Sequence, residues 1–246
     1  MEHGILLSGG ADVDFMIHGV FQYSFFGHQV WITTSHVCIL IVMLILVAFA
    51  IAANRCMAKA SEVPGSFQNV LELIVEMLDN MVSGSMGQAA SRYSNYIGTI
   101  FIFILFSNIS GLLGLRPPTA DYGVTLPLAL LTFTLIHYNK WKYQKPVTIW
   151  KDLCSPLPPW LPIWLPINVV SAFAVPVSLS LRLFANVLSG TAMMALIYGL
   201  LGWIATAWPA ALHVYFDLFS GAIQTYVFCM LTMTYISNEI GDGTRR

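Results

Sequence analysis

Charge is what this sequence has least of. Only 9% of its 246 residues are Asp, Glu, Lys or Arg, and 57% are hydrophobic, where an average soluble chain carries about 25% charged residues. A soluble globule is excluded on that ground. Polar stretches stay below about 30 residues, too short for an extramembrane domain with its own core. There is no basic patch to meet nucleic acid and no G-x-x-x-x-G-K-[ST] run to cradle a nucleotide. Cys38, Cys56, Cys154 and Cys229 are scattered without C-x-x-C spacing, which argues against a metal centre or disulfide framework and for reduced structural thiols. Residues 1–31 hold Glu2, Asp12 and Asp14 but no Lys or Arg. They lack the basic start of a cleaved signal peptide, so the first apolar run is expected to stay as a span.

What the sequence does have is a series of apolar runs, near residues 32–53, 97–115, 124–138, 161–208 and 218–236. They approach or exceed the roughly 20 residues that cross a bilayer as helix. The expected fold class is an all-α polytopic membrane protein. It should have about five membrane-embedded helices, an amphipathic surface helix and a long tilted helical hairpin at the C-terminus. A single membrane domain is expected over 1–246. Its parts are an external N-terminal segment at 1–31, a first span at 32–53, the amphipathic helix at 66–83, a helical hairpin at 95–138 and a second hairpin at 161–237.

Basic residues collect on cytoplasmic loops, and this orients the chain. Arg55 and Lys59 follow the first span, which puts the N-terminus outside. Residues 66–83 place Phe67, Val70, Leu71, Ile74, Val75 and Leu78 at spacings of three and four, with Glu72, Glu76, Asp79 and Asn80 on the remainder. That is the pattern of an amphipathic helix lying at the cytoplasmic surface. Its acidic residues read as a solvated face, the other reading being a stator contact. Arg92 precedes the second span, and the proline-rich residues 116–123 form a short outer loop in which Arg116 and Asp121 pair or cap helix ends. The third span returns to Lys140, Lys142, Lys145 and Lys151. Residues 156–166 then break helix repeatedly, with Trp160 and Trp164 suited to the interface. The chain ends inside at Arg245 and Arg246. On this drawing nine of the 11 basic residues are cytoplasmic, Arg116 is external and Arg182 lies within the membrane.

From Ile163 to about Trp203 the one formal charge is Arg182. A helix of about 40 residues is about 60 Å long, twice the hydrocarbon thickness, so it must tilt, bend or divide. Pro176 could kink it, and Gly202 with Pro209 supplies a turn before a final helix near 211–237. Arginine at mid-helix costs about 2.5 to 3.5 kcal/mol on insertion scales. Snorkelling to the interface would relieve that cost, but Arg182 sits about 20 residues, some 30 Å, from either end of its run. Ser178, Asn186 and Ser189 fall on the same helical face at i−4, i+4 and i+7. The final helix carries a matching stripe of Asp217, Ser220 and Gln224, with His213 one turn before it. For antiparallel helices turning near residue 204, Gln224 faces the depth of Arg182, and Asp217 sits about 10 Å further out. That suits a polar inlet ending near a fixed cation. Asp217 could otherwise be an interfacial carboxylate, and His213 an interface residue rather than a relay. Asn108 and Ser110 read as interhelical hydrogen-bonding groups, with a channel role as the other possibility. Met193 and Met194 read as packing.

Three segments carry a family resemblance. SLSLRLFANVLSG at 178–190 resembles the arginine-bearing helix of subunit a of F-type ATP synthases, and IQTYVFCMLTMTYIS at 223–237 resembles the last helix of that family. PTADYGVTLPLALLTF at 118–133 matches a further segment, in the same order. The resemblance implies that Arg182 faces the carboxylates of the rotor's c-ring, with Asn186 and Gln224 flanking it and Ser178 lining the cytoplasmic half-channel. Family members often place Glu or His in the outer half-channel, and here those positions hold Thr191 and Asp217, so Asp217 with water is expected to act there. Ser220 and His213 complete the candidate pathway. The implied partners are the c-ring, the peripheral-stalk b subunits, the catalytic head indirectly and membrane lipid, with a proton or sodium ion as cargo. No cofactor, metal or nucleic acid is implied. The implied location is a bacterial inner membrane, with the C-terminus cytoplasmic. A self-contained secondary transporter is the rival class, but it should show an internal repeat and a closed substrate site, and no repeat is evident.

Overall fold

The computed structural model describes residues 19–25, 28–58, 65–113, 117–149, 164–201 and 208–244. Lys59, Arg116, Lys151, Cys154, residues 1–18, the proline-rich run 156–163 with Trp160, Gly202, Arg245 and Arg246 lie outside the described residues. The elements are a hairpin of β1 (Gly19–Phe25) and β2 (His28–Thr33), then α1 (Thr34–Met57), α2 (Ser66–Met86), α3 (Ala90–Ile109), α4 (Tyr122–Tyr143) and α5 (Trp164–Leu201). The short α6 (Trp208–His213) runs through a π-helical segment, Val214–Ser220, into α7 (Gly221–Thr244).

Four helical segments are long and apolar enough to cross a membrane: Thr34–Met57, Ser66–Leu112, Pro166–Leu200 and Ala211–Ile240. The chain is an all-α polytopic membrane protein, as its composition predicts. The helix α4 is less apolar than these. Its 22 residues still run about 33 Å, and it packs along both α5 and α7. The hairpin has no counterpart in the sequence reading. It is antiparallel, with Tyr23 opposite Val30 and Phe25 opposite His28. The β-branched and aromatic residues Val20, Phe21, Tyr23, Val30, Trp31 and Ile32 favour that extended backbone.

A bilayer reverses the usual burial pattern, because lipid is as apolar as leucine and gives helices no hydrophobic reason to associate. Accordingly α1 exposes Leu40, Leu44, Val47 and Ile51 and buries Ser35, Cys38 and Val42. The helix α4 buries Thr125, Ala129, Thr132, Ile136 and Asn139, a stripe at spacings of three and four that is small or polar except at Ile136 and lets neighbouring backbones approach. The core they build includes Ile97 and Ile104 of α3, Leu183 of α5, and Phe228, Met233 and Ile236 of α7.

Local chemistry sets the breaks. Gly87 ends α2 at φ +53°, a left-handed conformation that glycine adopts without penalty. Asp121 caps α4, its Oδ1 accepting from the Gly123 N–H at 2.9 Å. Pro176 sits inside α5, which continues past it as one helix of 38 residues, about 57 Å long.

Candidate functional site

The face of α5 turned away from its neighbours carries Ser178, Arg182 and Ser189, all exposed, with Asn186 half-buried at its edge. Leu179, Leu183, Gly190 and Met194 lie buried on the other side. Among the described residues Arg182 has neither an ion-pair nor a hydrogen-bond partner. A guanidinium halfway along an apolar helix is thus held out from the protein with its five donors unoccupied.

The final helix runs back along α5. Ser220 Oγ donates to Asn186 Oδ1 at 2.9 Å, and Gly190 faces Phe216, whose Cβ lies 3.6 Å from where a Cβ at 190 would stand. A register that sets Asn186 opposite Ser220 and Gly190 opposite Phe216 sets Arg182 opposite Gln224. The Nε2 of Gln224 is buried with no hydrogen-bond partner, so the amide at the level of the arginine also has a donor free.

Asp217 lies in the π segment, not in the regular helix its spacing implied. A π turn closes i to i+5, so the three- and seven-residue steps from Asp217 to Ser220 and Gln224 do not describe one straight α-helical stripe. Its carboxylate does not pair with Arg182. It accepts from His213 Nδ1 at 3.2 Å, with side-chain exposures of 19% for Asp217 and 38% for His213. An imidazole one turn earlier thereby stands beside the Asp217 carboxylate. Thr191 Oγ1 donates to its own helix, at Leu188 O, 2.9 Å away.

Asp217 also borders a cavity of about 10 Å³ shared with Asn108, Pro117, Asn186, Gly190 and Gly221, the room for about one water. Asn108 was expected as an interhelical hydrogen-bonding group or a channel residue, whereas Gly111, beside Asp217, was not anticipated. Gly111 lies so near that a Cβ there would stand 3.3 Å from the Asp217 carboxylate. Asn108, 3% exposed, contacts Gly221 and Thr225. An asparagine within an apolar helix is a visible signal, but which helix it meets is not. Among the described residues there is no group of three or more His, Cys, Asp or Glu side chains able to hold a metal ion.

Comparison with known proteins bears on the same region. The family described as ATP synthase A chain matches residues 36–237. The chain is 36% identical over 212 residues to the sodium-ion-specific ATP synthase subunit a of Propionigenium modestum, covering 79% of this chain and 71% of that one. It is 32% identical over 209 residues to ATP synthase subunit a of a Sulfurihydrogenibium species, covering 84% and 97%. With ATP synthase subunit a of Bacillus subtilis it shares 31% identity over 248 residues, covering 92% and 98%.

Proposed function

The chain belongs to the ATP synthase A chain family, and from that premise we propose that it is the ion-translocating stator of a rotary F-type ATP synthase, with Arg182 meeting the carboxylates of the c-ring. As a subunit a it is a multi-pass membrane component of an enzyme complex and works with the other ATP synthase subunits. The observation that carries the finer reading is the state of Arg182. It is exposed at the middle of an apolar helix and has no ion pair among the described residues. A charge in that position has a use when an anionic partner arrives from outside the chain.

The mechanism in this reading is electrostatic. Guanidinium stays protonated at any working pH. A ring carboxyl reaching Arg182 is stabilised in its ionised form and gives up its ion towards the cytoplasmic half-channel, which Ser178 lines. The carboxylate moves past Arg182, between Asn186 and Gln224, and is neutralised again by an ion arriving from outside. That ion comes past Asp217, with His213, Ser220 and Thr191 lining the outer half-channel. Arg182 also blocks direct leakage between the two halves, since a passing cation would have to cross a fixed positive charge. Each charge carried through 100 mV supplies about 2.3 kcal/mol, which biases rotation.

In the same reading the N-terminus is outside and the C-terminus cytoplasmic, in a bacterial inner membrane. The b subunits of the peripheral stalk hold this chain against the head. It binds no nucleotide itself. The cargo is a proton or a sodium ion. The name of the Propionigenium relative specifies sodium, but the bond between His213 and Asp217 suits a proton, because hard cations select oxygen ligands over imidazole. A self-contained secondary transporter would enclose its central charge within its own helices, and the exposure of Arg182 weighs against that.

The test is ion-driven ATP synthesis and passive ion leak in vesicles holding the assembled complex, with Arg182 or with Arg182→Ala. The expected result is loss of synthesis at equal complex content, with increased leak. Normal coupled synthesis by the variant overturns the reading.

A further inference from the structure

Asn108 is buried on α3, and its hydrogen bonds lead to other elements. Its Nδ2 donates to Gly221 O at 3.1 Å and lies 3.4 Å from Thr225 Oγ1. Its Oδ1 accepts from Thr119 Oγ1 at 2.7 Å, and that threonine is itself 1% exposed. Thr225 Oγ1 donates to the same Gly221 carbonyl at 2.8 Å. Gly221 is the first residue of α7 and directly follows the π segment that carries Asp217. The contact is tight: a Cβ at 221 would stand 2.8 Å from Asn108 Cβ.

The junction is where such an anchor has an effect. Five-residue hydrogen bonds give way to four-residue ones there, so a side chain that holds the first carbonyl of α7 holds the point where the winding changes. A π turn is a rare conformation beside the α-helix. Relaxing it by one residue would rotate everything on its N-terminal side by roughly 100°, one residue's share of a 3.6-residue turn. Asp217 would then swing away from the cavity it shares with Asn108 and Asn186. We infer that Asn108 is a positioning residue, which, oriented by Thr119, anchors the Gly221 carbonyl and so holds the π segment in the register that aims the Asp217 carboxylate at this cavity. The inference rests on the proposed function, in which Asp217 belongs to the outer ion pathway. His213 is the titratable side chain in contact with Asp217 from its own helix. From the facing elements Asn108, Gly111 and Pro117 on one side and Asn186 and Gly190 on the other approach it, and none of these titrates.

The test uses the whole ATP synthase complex in proteoliposomes, with Asn108→Ala, Thr119→Val and Arg182→Ala beside the native chain. Gradient-driven ATP synthesis is followed against the pH of the outer side and normalised to complex content. Asn108→Ala is expected to lower synthesis about tenfold, a fraction of the hundredfold that a misplacement of 1 Å can bring. It should also move the outer-side limb of the pH profile by at least about half a unit, the size expected from one lost hydrogen bond. Thr119→Val should move it in the same direction by less. A rate that falls with the limb unmoved means Asn108 is only structural and overturns the inference. If Asn108→Ala does not assemble, Thr119→Val decides, and an unmoved limb in that variant overturns the inference equally. Arg182→Ala separates the two claims. Coupled synthesis surviving in that variant removes the proposed function itself, whereas its loss beside an unmoved limb in the other variants removes only the role of Asn108.

Discussion

Ser220 of the π segment donates a 2.9 Å hydrogen bond to Asn186 of α5, four residues beyond Arg182 on the same helix. With Phe216 seated against Gly190, this bond fixes which turn of the final helix stands beside which turn of the arginine helix. The depth of Gln224 relative to Arg182 depends on it.

Breaking that bond should loosen the register without unfolding the chain. A hydrogen bond contributes about 1 kcal/mol net, close to a fivefold change in an equilibrium. Ser220→Ala and Asn186→Ala are each expected to lower gradient-driven synthesis several-fold, and the double variant should be little worse than Asn186→Ala alone. A double-mutant cycle on synthesis rates measures this. Additive effects would mean the two side chains act separately.

The glycines divide by what surrounds them. Gly221→Ala would place a Cβ 2.8 Å from Asn108 Cβ, whereas at Gly84, exposed on α2, nothing lies within 4 Å. Overpacking of this kind costs about 1 to 3 kcal/mol, while alanine for glycine in an open helix position stabilises by roughly 0.5 to 1 kcal/mol. Thermal inactivation of the purified complex should therefore come earlier for Gly221→Ala and no earlier for Gly84→Ala. An unaffected Gly221→Ala complex would show that α3 and α7 separate easily.

The helices were legible because lipid-crossing length and the scarcity of charge are properties of a single segment. Which face each helix buries was not. In α2 the residues at spacings of three and four divide, with Leu71 and Leu78 buried and Phe67, Val70 and Val75 exposed, because apolar side chains satisfy lipid and protein alike. The polarity of Arg182, Asn186, Asp217 and Gln224 was visible as an exception to an apolar background. The π turn at Asp217 was not, since it depends on Asn108 meeting Gly221 across a helix contact that no local pattern encodes. For the same reason the bond from His213 to Asp217 was not foreseen. Its four-residue spacing is legible, but whether that spacing means a bond depends on how the turn is wound.

A second polar tie closes the other end of the bundle. Glu239 of α7 stands 3.8 Å from Lys140 Nζ and accepts from Gln144 Nε2 at 3.1 Å, at the C-terminal end of α4. Lys140 and Glu239 are each about one-fifth exposed, so screening keeps the pair within roughly 1 kcal/mol. Lys140→Ala should accordingly have little effect on thermal inactivation. Glu239→Ala, which strips a partner from both Lys140 and Gln144, should bring it on sooner. Equal effects from the two variants would assign the stabilisation to the ion pair alone.

The pair of His213 and Asp217 allows packing to be told apart from ion handling. The His213 ring lies 5.9 Å from that of Tyr198 as well as bonding Asp217, so either contact could be what matters. His213→Phe keeps an aromatic ring beside Tyr198 and removes the bond, whereas His213→Gln keeps a donor and removes the ring. Asp217→Asn keeps the shape of the carboxylate and removes its capacity to take up and release a proton, which is expected to lower proton-driven synthesis about a hundredfold, the lower end of the range for losing a positioned acid or base. If the bond matters, His213→Phe should fall well below the native rate and His213→Gln should recover part of it. If the ring matters, the order reverses. Synthesis at the native rate in Asp217→Asn would take the outer pathway away from this carboxylate altogether, and with it the reason for the π turn that presents it.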